Sequence, residues 1–224
     1  MMRDAGLALV ALVLACRGGD DPAPKPLAVP FVRQAHPATC LVAAASAVLR
    51  AHGDDAAHDA LWREVRFWKD GTSDFEIQQA ARRHGFDGFT FRARDGRELA
   101  RIVDAGFPAI AAVDAPRKHA LVVVGWRARE GAWRVHDPSA QAPSDEPATR
   151  FDARWATTGR QVLLLAPERA RALDVLGTRG VDVARIARES RRYRAEEWRV
   201  RAARDFPDPR DPRRLELLRR AENE

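Results

Sequence analysis

Three side chains that can act together in thiol chemistry follow one another along the chain as Cys40, His119 and Asp137. A cysteine in the first turn of a helix faces unpaired N–H groups and the positive end of the helix dipole, which favour a thiolate. A histidine can take or give a proton, and a carboxylate can fix the tautomer of its ring. The three residue types predict nucleophilic catalysis by a thiol.

Gln34, six residues before the cysteine, adds a fourth group. Its amide can donate, beside the backbone N–H of Cys40, to an oxyanion that forms on an attacked carbonyl. Taken singly, each residue has a plainer explanation, such as a buried small cysteine or an Asp-Pro turn. Their joint occurrence favours an active site. A zinc site is not favoured because close ligand pairs are lacking, so we predict no metal and no cofactor.

Two histidines close to these residues carry expectations of their own. His36 lies beside the loop of Gln34 and can line the same cleft. His136 alternates with Asp137 along a predicted strand, so we expect it to face away from that carboxylate and to be a surface or capping residue.

The elements that position these groups are visible in the periodicity. Thr39 as N-cap and Gly53 at the C′ position predict a helix over residues 40–52 that is apolar all round and therefore buried. Further helices are predicted at 55–68, at 72–85 with Ser73 or Thr72 as cap, and at 95–106.

One strand is predicted between the last two of these helices, and four more follow the helices, where the hydrophobic period changes. They cover residues 86–94, 107–114, 119–128, 132–138 and 160–167. A hairpin around residues 129–131 would place His119 and Asp137 roughly opposite each other. Helices followed by a sheet predict an α+β domain over residues 28–167.

The remainder of the chain, residues 168–224, is rich in Arg, Glu and Ala and predicts a charged helical extension packed on the domain. Gly177 and Gly180 interrupt it, and the Pro-rich segment 205–212 breaks the helix. The net charge of +6 is carried almost wholly by arginine. No basic patch interleaved with aromatic residues accompanies it, so nucleic acid is not a predicted partner.

The first sixteen residues are typical of an export signal, with a basic residue near the start and an apolar run too short to span a bilayer. They end on "VLAC", which resembles a bacterial lipobox and predicts lipidation at Cys16. Residues 17–27 then predict a flexible tether. We therefore expect an exported lipoprotein anchored in a membrane of the cell envelope. Cys40 would have no disulfide partner there, which favours a reactive thiol.

The stretches "VPFVRQAHPATCLVAAASAVLRAHG", "GFPAIAAVD", "KHALVVVGW" and "WRVHDPS" together resemble the peptidase C39 and C39-like family, which is part of the papain-like cysteine peptidases. The resemblance covers residues 28–167. It implies a helix that bears the cysteine, packed on an antiparallel sheet that bears histidine and aspartate. By position, Cys40 would be the nucleophile, His119 the base, Asp137 its orienting group and Gln34 the oxyanion donor.

The chain departs from the family pattern at Leu41, where glycine is usual, and at Thr39, where an acidic or polar residue is common. Leu41 is expected to narrow the cleft. The function implied is hydrolysis of a peptide or protein substrate. Two alternatives stay open: a non-catalytic peptide-binding module with the same fold, and a transglutaminase-like acyltransferase.

Overall fold

The computed structural model describes residues 25–55, 57–114 and 117–224. The predicted signal segment with Cys16, and residues 17–24 of the predicted tether, lie outside the described residues. The elements follow in chain order as a 3-10 turn (Pro37–Thr39), α1 (Cys40–Ala51), α2 (Ala57–Glu64), α3 (Asp74–Arg83), β1 (Asp87–Arg92), α4 (Gly96–Asp104), β2 (Ala109–Val113), β3 (His119–Arg127), β4 (Ala132–His136), β5 (Ser144–Pro147), α5 (Ala148–Ala156), β6 (Gln161–Ala166), α6 (Arg169–Thr178), α7 (Val183–Asp205) and α8 (Pro212–Glu222).

An antiparallel six-stranded sheet in the order β1-β6-β2-β3-β4-β5 forms the centre of the described chain. One core cluster lies between the sheet and the helices α1 to α3. A second lies on the opposite face, where α4 and α5 pack. This arrangement of three layers confirms the predicted α+β class.

The helices α1 to α3 form the layer on one face of the sheet, and α1 is the most deeply buried of them. All its residues from Leu41 to Leu49 are buried, because β3 covers one side and α2 and α3 cover the other. The apolar pattern therefore predicted its burial correctly. Gly53 ends the helix with φ of 95°. Thr39 stands at the N-cap position, but the prediction that its side chain caps the helix is wrong: its hydroxyl donates to the carbonyl of His36 in the preceding 3-10 turn.

Helix α2 is shorter than predicted and ends at Glu64 rather than near residue 68. Trp68 and Gly71 instead exchange two backbone hydrogen bonds that close a tight loop. Gly71 has φ of 117°, and a Cβ there would lie 2.9 Å from the carbonyl oxygen of Ala38. Glycine is needed because the loop passes this close to the turn that leads into α1.

Strand β5 and helix α5 were not predicted from the sequence. The residues of β5, "SDEP", form an edge strand with a single buried position, so they lack apolar alternation. In α5 only Phe151 and Trp155 are buried. Trp155 is fully buried, and its indole N–H donates to the carbonyl of Gln161 at 3.1 Å. Two large apolar residues in nine, beside three small alanines, are too few to reveal a helix by periodicity.

The packed chain begins inside the segment predicted as a tether. The backbone N–H of Leu27 donates to Val124 of β3 at 2.8 Å, and Leu27 contacts both core clusters. None of the helices in the described ranges is long and apolar enough to cross a membrane.

The C-terminal helices pack on the rest of the described chain. Helix α7 lies along the edge strand β1. The carboxylate of Glu189 accepts from the backbone N–H of Arg92 at 2.9 Å, and Arg185 donates to the carbonyl of the same residue at 2.6 Å. Arg185 also pairs with the buried Glu98 at 2.8 Å. The helix thus covers backbone groups that an edge strand would otherwise expose.

Farther along α7, Trp198 anchors the helix to the start of α3. Its ring meets Phe75 edge-on, with centroids 4.7 Å apart, and Ala221 of α8 completes the small cluster. The guanidinium of Arg220 lies 5.4 Å above the indole. Aromatic and cation–π contacts of this kind add to the apolar area that the contact buries.

Replacement of Trp198 by alanine is expected to lower the free energy of unfolding by about 3 kcal/mol, because it leaves a cavity between α7, α8 and α3. Denaturation in urea measures the change. Val200→Ala on the same helix is the control: Val200 is 46% exposed, so a change within about 0.5 kcal/mol is expected. Equal losses in the two variants would contradict the packing described for α7.

Candidate active site

Cys40 is the first residue of α1, and it is half-buried at the wall of a cleft of about 880 Å³. The helix places the thiol where its own first N–H groups are unpaired. His119, the first residue of β3, lines the same cleft, and its ring lowers the pKa of the thiol. The structure therefore brings together two residues that are 79 positions apart in the sequence.

The surroundings of the thiol favour its ionised form. Burial raises the pKa of Cys40, but hydrogen bonds from the ring of His119 and from the backbone N–H groups of Ala120 and Leu41, with the charge of the ring, lower it further than burial raises it. The net effect is a pKa below that of a free thiol. A thiolate at neutral pH is the form that attacks carbonyl carbon.

Asp137 follows β4 directly and accepts from the other side of the histidine ring. His119 Nε2 and Asp137 Oδ1 are 2.7 Å apart. The same oxygen accepts from the backbone N–H of Ser139 at 2.8 Å and from its hydroxyl at 2.6 Å. Because Nε2 is bound to the carboxylate, Nδ1 is the nitrogen left for the thiol.

The pKa values of these groups point to an ion pair. Burial lowers the pKa of His119, yet its bonds to Asp137 and Cys40 and their charges raise it to about 9. Burial raises the pKa of Asp137, but His119 and Ser139 hold it far below its usual range. At pH values above the pKa of the Cys40 thiol and below about 9, the site holds a thiolate, an imidazolium and a carboxylate in a row.

The register of the β3–β4 hairpin differs in detail from the expectation. His136 pairs with Val122, and a bulge lies between Val123 and Gly125. His119 and Asp137 therefore do not face each other across the ladder; both lie beyond its last pair, where their side chains meet. The predicted proximity holds, although the predicted pairing does not.

Gln34 lies beside this group through its backbone. Its N–H donates to the carbonyl of Pro138 at 2.9 Å, which ties the segment before α1 to the segment after Asp137. The side-chain oxygen Oε1 is buried and has no hydrogen-bond partner among the described residues. Among the described residues, Gln34 does not line the cleft. His36 does line it, as expected.

The prediction that His136 is a surface residue is wrong. It is 7% exposed, and Phe31 meets its ring edge-on at 5.8 Å. Burial and the charge of Arg134 lower its pKa, so it is a neutral part of the packing. Strand alternation could not reveal this, because the N-terminal segment that covers the ring is not part of the strand pattern.

Several groups of the site were not found in the sequence. Ser139 donates two hydrogen bonds to Asp137, and the backbone groups of Ala120 and Leu41 lower the pKa of the thiol. The Asp-x-Ser spacing is a recognisable turn signal for the first of them. The far wall of the cleft includes Tyr193 and Glu197 of α7. The sequence of α7 has the pattern of a solvent-exposed helix, and nothing in that pattern distinguishes these two residues from their neighbours.

The pH dependence of alkylation tests the state of the thiol. In a Cys16→Ala background, Cys40 is the single cysteine of the chain. Its reaction rate with iodoacetamide is expected to rise to a plateau with a midpoint below about pH 8.5, the pKa of a free thiol. His119→Ala is expected to move the midpoint upward because the imidazolium is lost. A midpoint that His119→Ala leaves unchanged would contradict the ion pair.

A helix that carries a thiol at its first turn, packed on an antiparallel sheet that carries the facing histidine, defines the papain-like cysteine peptidase fold. The profile of the peptidase C39 family matches residues 28–170, more than half of the chain. The chain belongs to the peptidase C39 family. Membership supports a cysteine peptidase-like function.

Solved structures show the same fold. A double-glycine motif protease from an AMS/PCAT transporter, solved with its leader peptide, is 21% identical with a TM-score of 0.54, covering 64% of this chain and 94% of that one. A C39-like peptidase from Bacillus anthracis is 15% identical with a TM-score of 0.54, covering 65% and 99%. The peptidase domain of Streptococcus ComA is 23% identical with a TM-score of 0.51, covering 61% and 97%.

No curated protein matches the chain. Within the described ranges, no group of three or more His, Cys, Asp or Glu side chains is placed to hold a metal ion.

Proposed function

We propose that this chain is a peptidase that hydrolyses peptide bonds through Cys40, His119 and Asp137. The observation that carries the proposal is that Cys40 and His119 line one cleft and that the imidazole is hydrogen-bonded to the carboxylate of Asp137 at 2.7 Å. A purely structural cysteine does not need a lowered pKa or a histidine held by a carboxylate.

In the proposed reaction, the Cys40 thiolate attacks the carbonyl carbon of the peptide bond and forms a C–S bond. The carbonyl oxygen becomes an oxyanion, which the backbone N–H of Cys40 would stabilise. Gln34 does not line the cleft among the described residues, so its amide would have to turn toward the oxyanion to donate as well. When the C–N bond breaks, the His119 imidazolium gives its proton to the leaving amine. Water then attacks the thioester, His119 takes its proton, and the acid leaves as the thiolate is restored.

Asp137 has a positioning part in this scheme. Its bond to Nε2 fixes the ring so that Nδ1 faces the thiol, and its charge stabilises the imidazolium. Ser139 in turn holds the carboxylate with two bonds to the same oxygen.

The substrate in this proposal is a peptide or a segment of a protein. One neighbour of similar fold was solved in complex with a leader peptide. Leu41 lines the cleft directly beside the nucleophile. We propose that its side chain narrows the cleft at this point, where the family usually has glycine.

The test is digestion of a mixture of peptides by the full chain, with the new termini read by mass spectrometry. New termini that appear with the parent protein and not with Cys40→Ala support the proposal. Binding of peptides without new termini would indicate the non-catalytic module instead. If a primary amine added to the mixture took the acyl group in place of water, so that the amide and not the new carboxyl terminus was the main product, the acyltransferase alternative would replace hydrolysis.

We also propose that the chain is exported and anchored by a lipid on Cys16. The support is the sequence of residues 1–16 and the tether-like composition that follows. Incorporation of labelled palmitate into the parent protein and not into Cys16→Ala tests this proposal.

A further inference from the structure

One wall of the catalytic cleft is formed by residues 66–72, between α2 and α3, which we call the Trp68 loop. Three of its residues line the cleft together with Cys40: Lys69, Asp70 and Thr72. The loop also lies against the turn that leads into α1, because a Cβ on Gly71 would be 2.9 Å from the carbonyl oxygen of Ala38. The position of the Trp68 loop therefore helps to set the shape of the cleft near the thiol.

The Trp68 loop is closed by its own hydrogen bonds. The backbones of Trp68 and Gly71 exchange bonds of 2.7 and 3.0 Å, and the hydroxyl of Thr72 donates to the carbonyl of Arg66 at 2.8 Å. The side chain of Arg66 and the residues 69–70 are exposed, so burial does little to hold this part of the loop. A short exposed segment opens locally at small cost unless contacts with other segments oppose the opening.

The end of α7 supplies contacts of this kind. The guanidinium of Arg66 donates to the carboxylate of Asp205 at 2.5 Å. The guanidinium of Arg204 lies 4.6 Å from the centre of the Trp68 ring, and that of Arg66 lies 5.7 Å from it. The indole is thus in contact with one cation of its own loop and one cation of α7, and the π electrons of the ring attract both.

Asp205 connects these groups, and its side chain is only 13% exposed. Its Oδ2 pairs with Arg66, and its Oδ1 pairs with Arg204 at 2.9 Å. Arg201, one turn earlier on α7, lies 3.6 Å from the same carboxylate. An isolated ion pair in solvent adds little stability, whereas a network of several charges can hold a segment in place. We call Arg204 and Asp205 the α7 clamp.

We propose that the α7 clamp holds the Trp68 loop in the wall of the catalytic cleft, so that the C-terminal extension positions the surface on which a peptide substrate binds. The proposal rests on the proposed peptidase function, because it takes this cleft as the place of peptide binding. Arg204 and Asp205 are positioning residues: within the described ranges neither of them lines the cleft, and both lie beyond residues 28–170, which the family profile matches.

Hydrogen–deuterium exchange of the full chain, read by mass spectrometry, measures how firmly the loop is held. Asp205→Ala is expected to speed exchange at the backbone N–H groups of Trp68 and Gly71 by about tenfold, because opening of the loop no longer breaks the bond to Arg66. Asp205→Glu keeps a carboxylate and is expected to restore part of the protection. The double variant with Arg66→Ala and Asp205→Ala is expected to exchange like Asp205→Ala, since both substitutions remove the same contact.

Two alkylating reagents show whether the loop positions a peptide. In the Cys16→Ala background both react at Cys40, which is then the single cysteine of the chain. Iodoacetamide needs no peptide site, whereas acetyl-Ala-Ala-Ala chloromethyl ketone gains its rate from contacts along the cleft. Asp205→Ala is expected to slow the peptide reagent several-fold and to leave the rate with iodoacetamide within about twofold.

The matched control is Glu196→Ala on the same helix. Glu196 is exposed and pairs with Arg199 in solvent at 3.5 Å, so its loss is expected to change neither exchange in the loop nor the ratio of the two alkylation rates. The proposal is overturned if Asp205→Ala leaves exchange in the Trp68 loop, or the ratio of rates, as in the parent protein. Faster exchange over all of α3 and β1 would also overturn it, because Asp205 would then hold the helix rather than the loop.

These outcomes separate the inference from the peptidase function, because neither reagent has to be hydrolysed. Cleavage of peptides by the parent protein, with a ratio of rates that Asp205→Ala leaves unchanged, would overturn the inference and leave the peptidase function standing. A changed ratio in a protein that cleaves no peptide would support the positioning of the loop and contradict the peptidase function.

Discussion

Replacement of Cys40 by alanine is expected to reduce the rate of peptide hydrolysis by on the order of 10⁴-fold or more. The variant has no atom that can form the thioester, so the remaining groups can only polarise the substrate. Cys40→Ser is expected to be almost as inactive, because a hydroxyl is far less acidic than a thiol and the imidazole at this site is tuned to a thiolate. Initial rates on a peptide identified as substrate give the comparison.

The matched control is the other cysteine of the chain. Cys16→Ala is expected to keep full activity, because the catalytic proposal assigns it no role in the reaction. Thermal unfolding should show that Cys40→Ala is folded, since the loss of one half-buried sulfur costs little stability. Equal hydrolysis by the parent protein and by Cys40→Ala, with the same cleavage sites, would mean that the activity belongs to other residues or to a contaminant.

The central part of the fold could be predicted because its signals are local. Apolar residues on every side of α1 predicted a buried helix, and Gly53 marked its end. Apolar runs predicted β2, β3 and β6, which lie in the middle of the sheet. The proximity of His119 and Asp137 followed from a short hairpin, in which turn length limits the register.

The parts that were missed depend on contacts between distant segments. The helix α5 is held by two aromatic residues that pack in the cluster of the sheet and α4, and its other apolar residues are small alanines. His136 is buried because Phe31 covers it from another part of the chain. Periodicity shows which residues share a face of an element, but not which distant segment will cover that face.

The same reason explains why the wall contributed by α7 could not be foreseen. Tyr193 and Glu197 occur in a long charged helix whose exposed and buried positions look alike in composition. Only the path of α7 along β1 and its anchor at Phe75 bring them to the cleft. An extension outside the family domain thus contributes to the wall of the cleft, while the residues proposed for catalysis stay within the domain.

Asp137→Asn is expected to have the second largest effect, a loss of kcat/KM of about a hundredfold or more. The neutral amide presents N–H donors as well as an acceptor. It can therefore hold the His119 ring in the tautomer that carries no proton on Nε2, which is the wrong one for the reaction. It also removes the charge that stabilises the imidazolium. Because burial alone lowers the pKa of His119, the value of about 9 depends on the charges and hydrogen bonds of Asp137 and Cys40.

The pH profile distinguishes this role from a merely structural one. In the parent protein, activity is expected to rise as Cys40 ionises and to fall as pH passes about 9, where His119 loses the proton that the leaving amine needs. In Asp137→Asn the pKa of His119 falls, so the alkaline limb moves to lower pH. The thiolate loses part of its cationic partner, so the acid limb moves to higher pH. The bell should therefore become narrower from both sides.

Ser139→Ala is the matched control for this variant. It removes the hydroxyl bond to Asp137 Oδ1 at 2.6 Å and keeps the backbone N–H bond at 2.8 Å and the carboxylate itself. We expect kcat/KM to fall only several-fold, which is the size of effect that one lost hydrogen bond has. Both limbs of the pH profile should stay close to those of the parent protein. If Asp137→Asn lowered activity but left both limbs in place, the carboxylate would be holding the loop after β4 rather than the charge of His119.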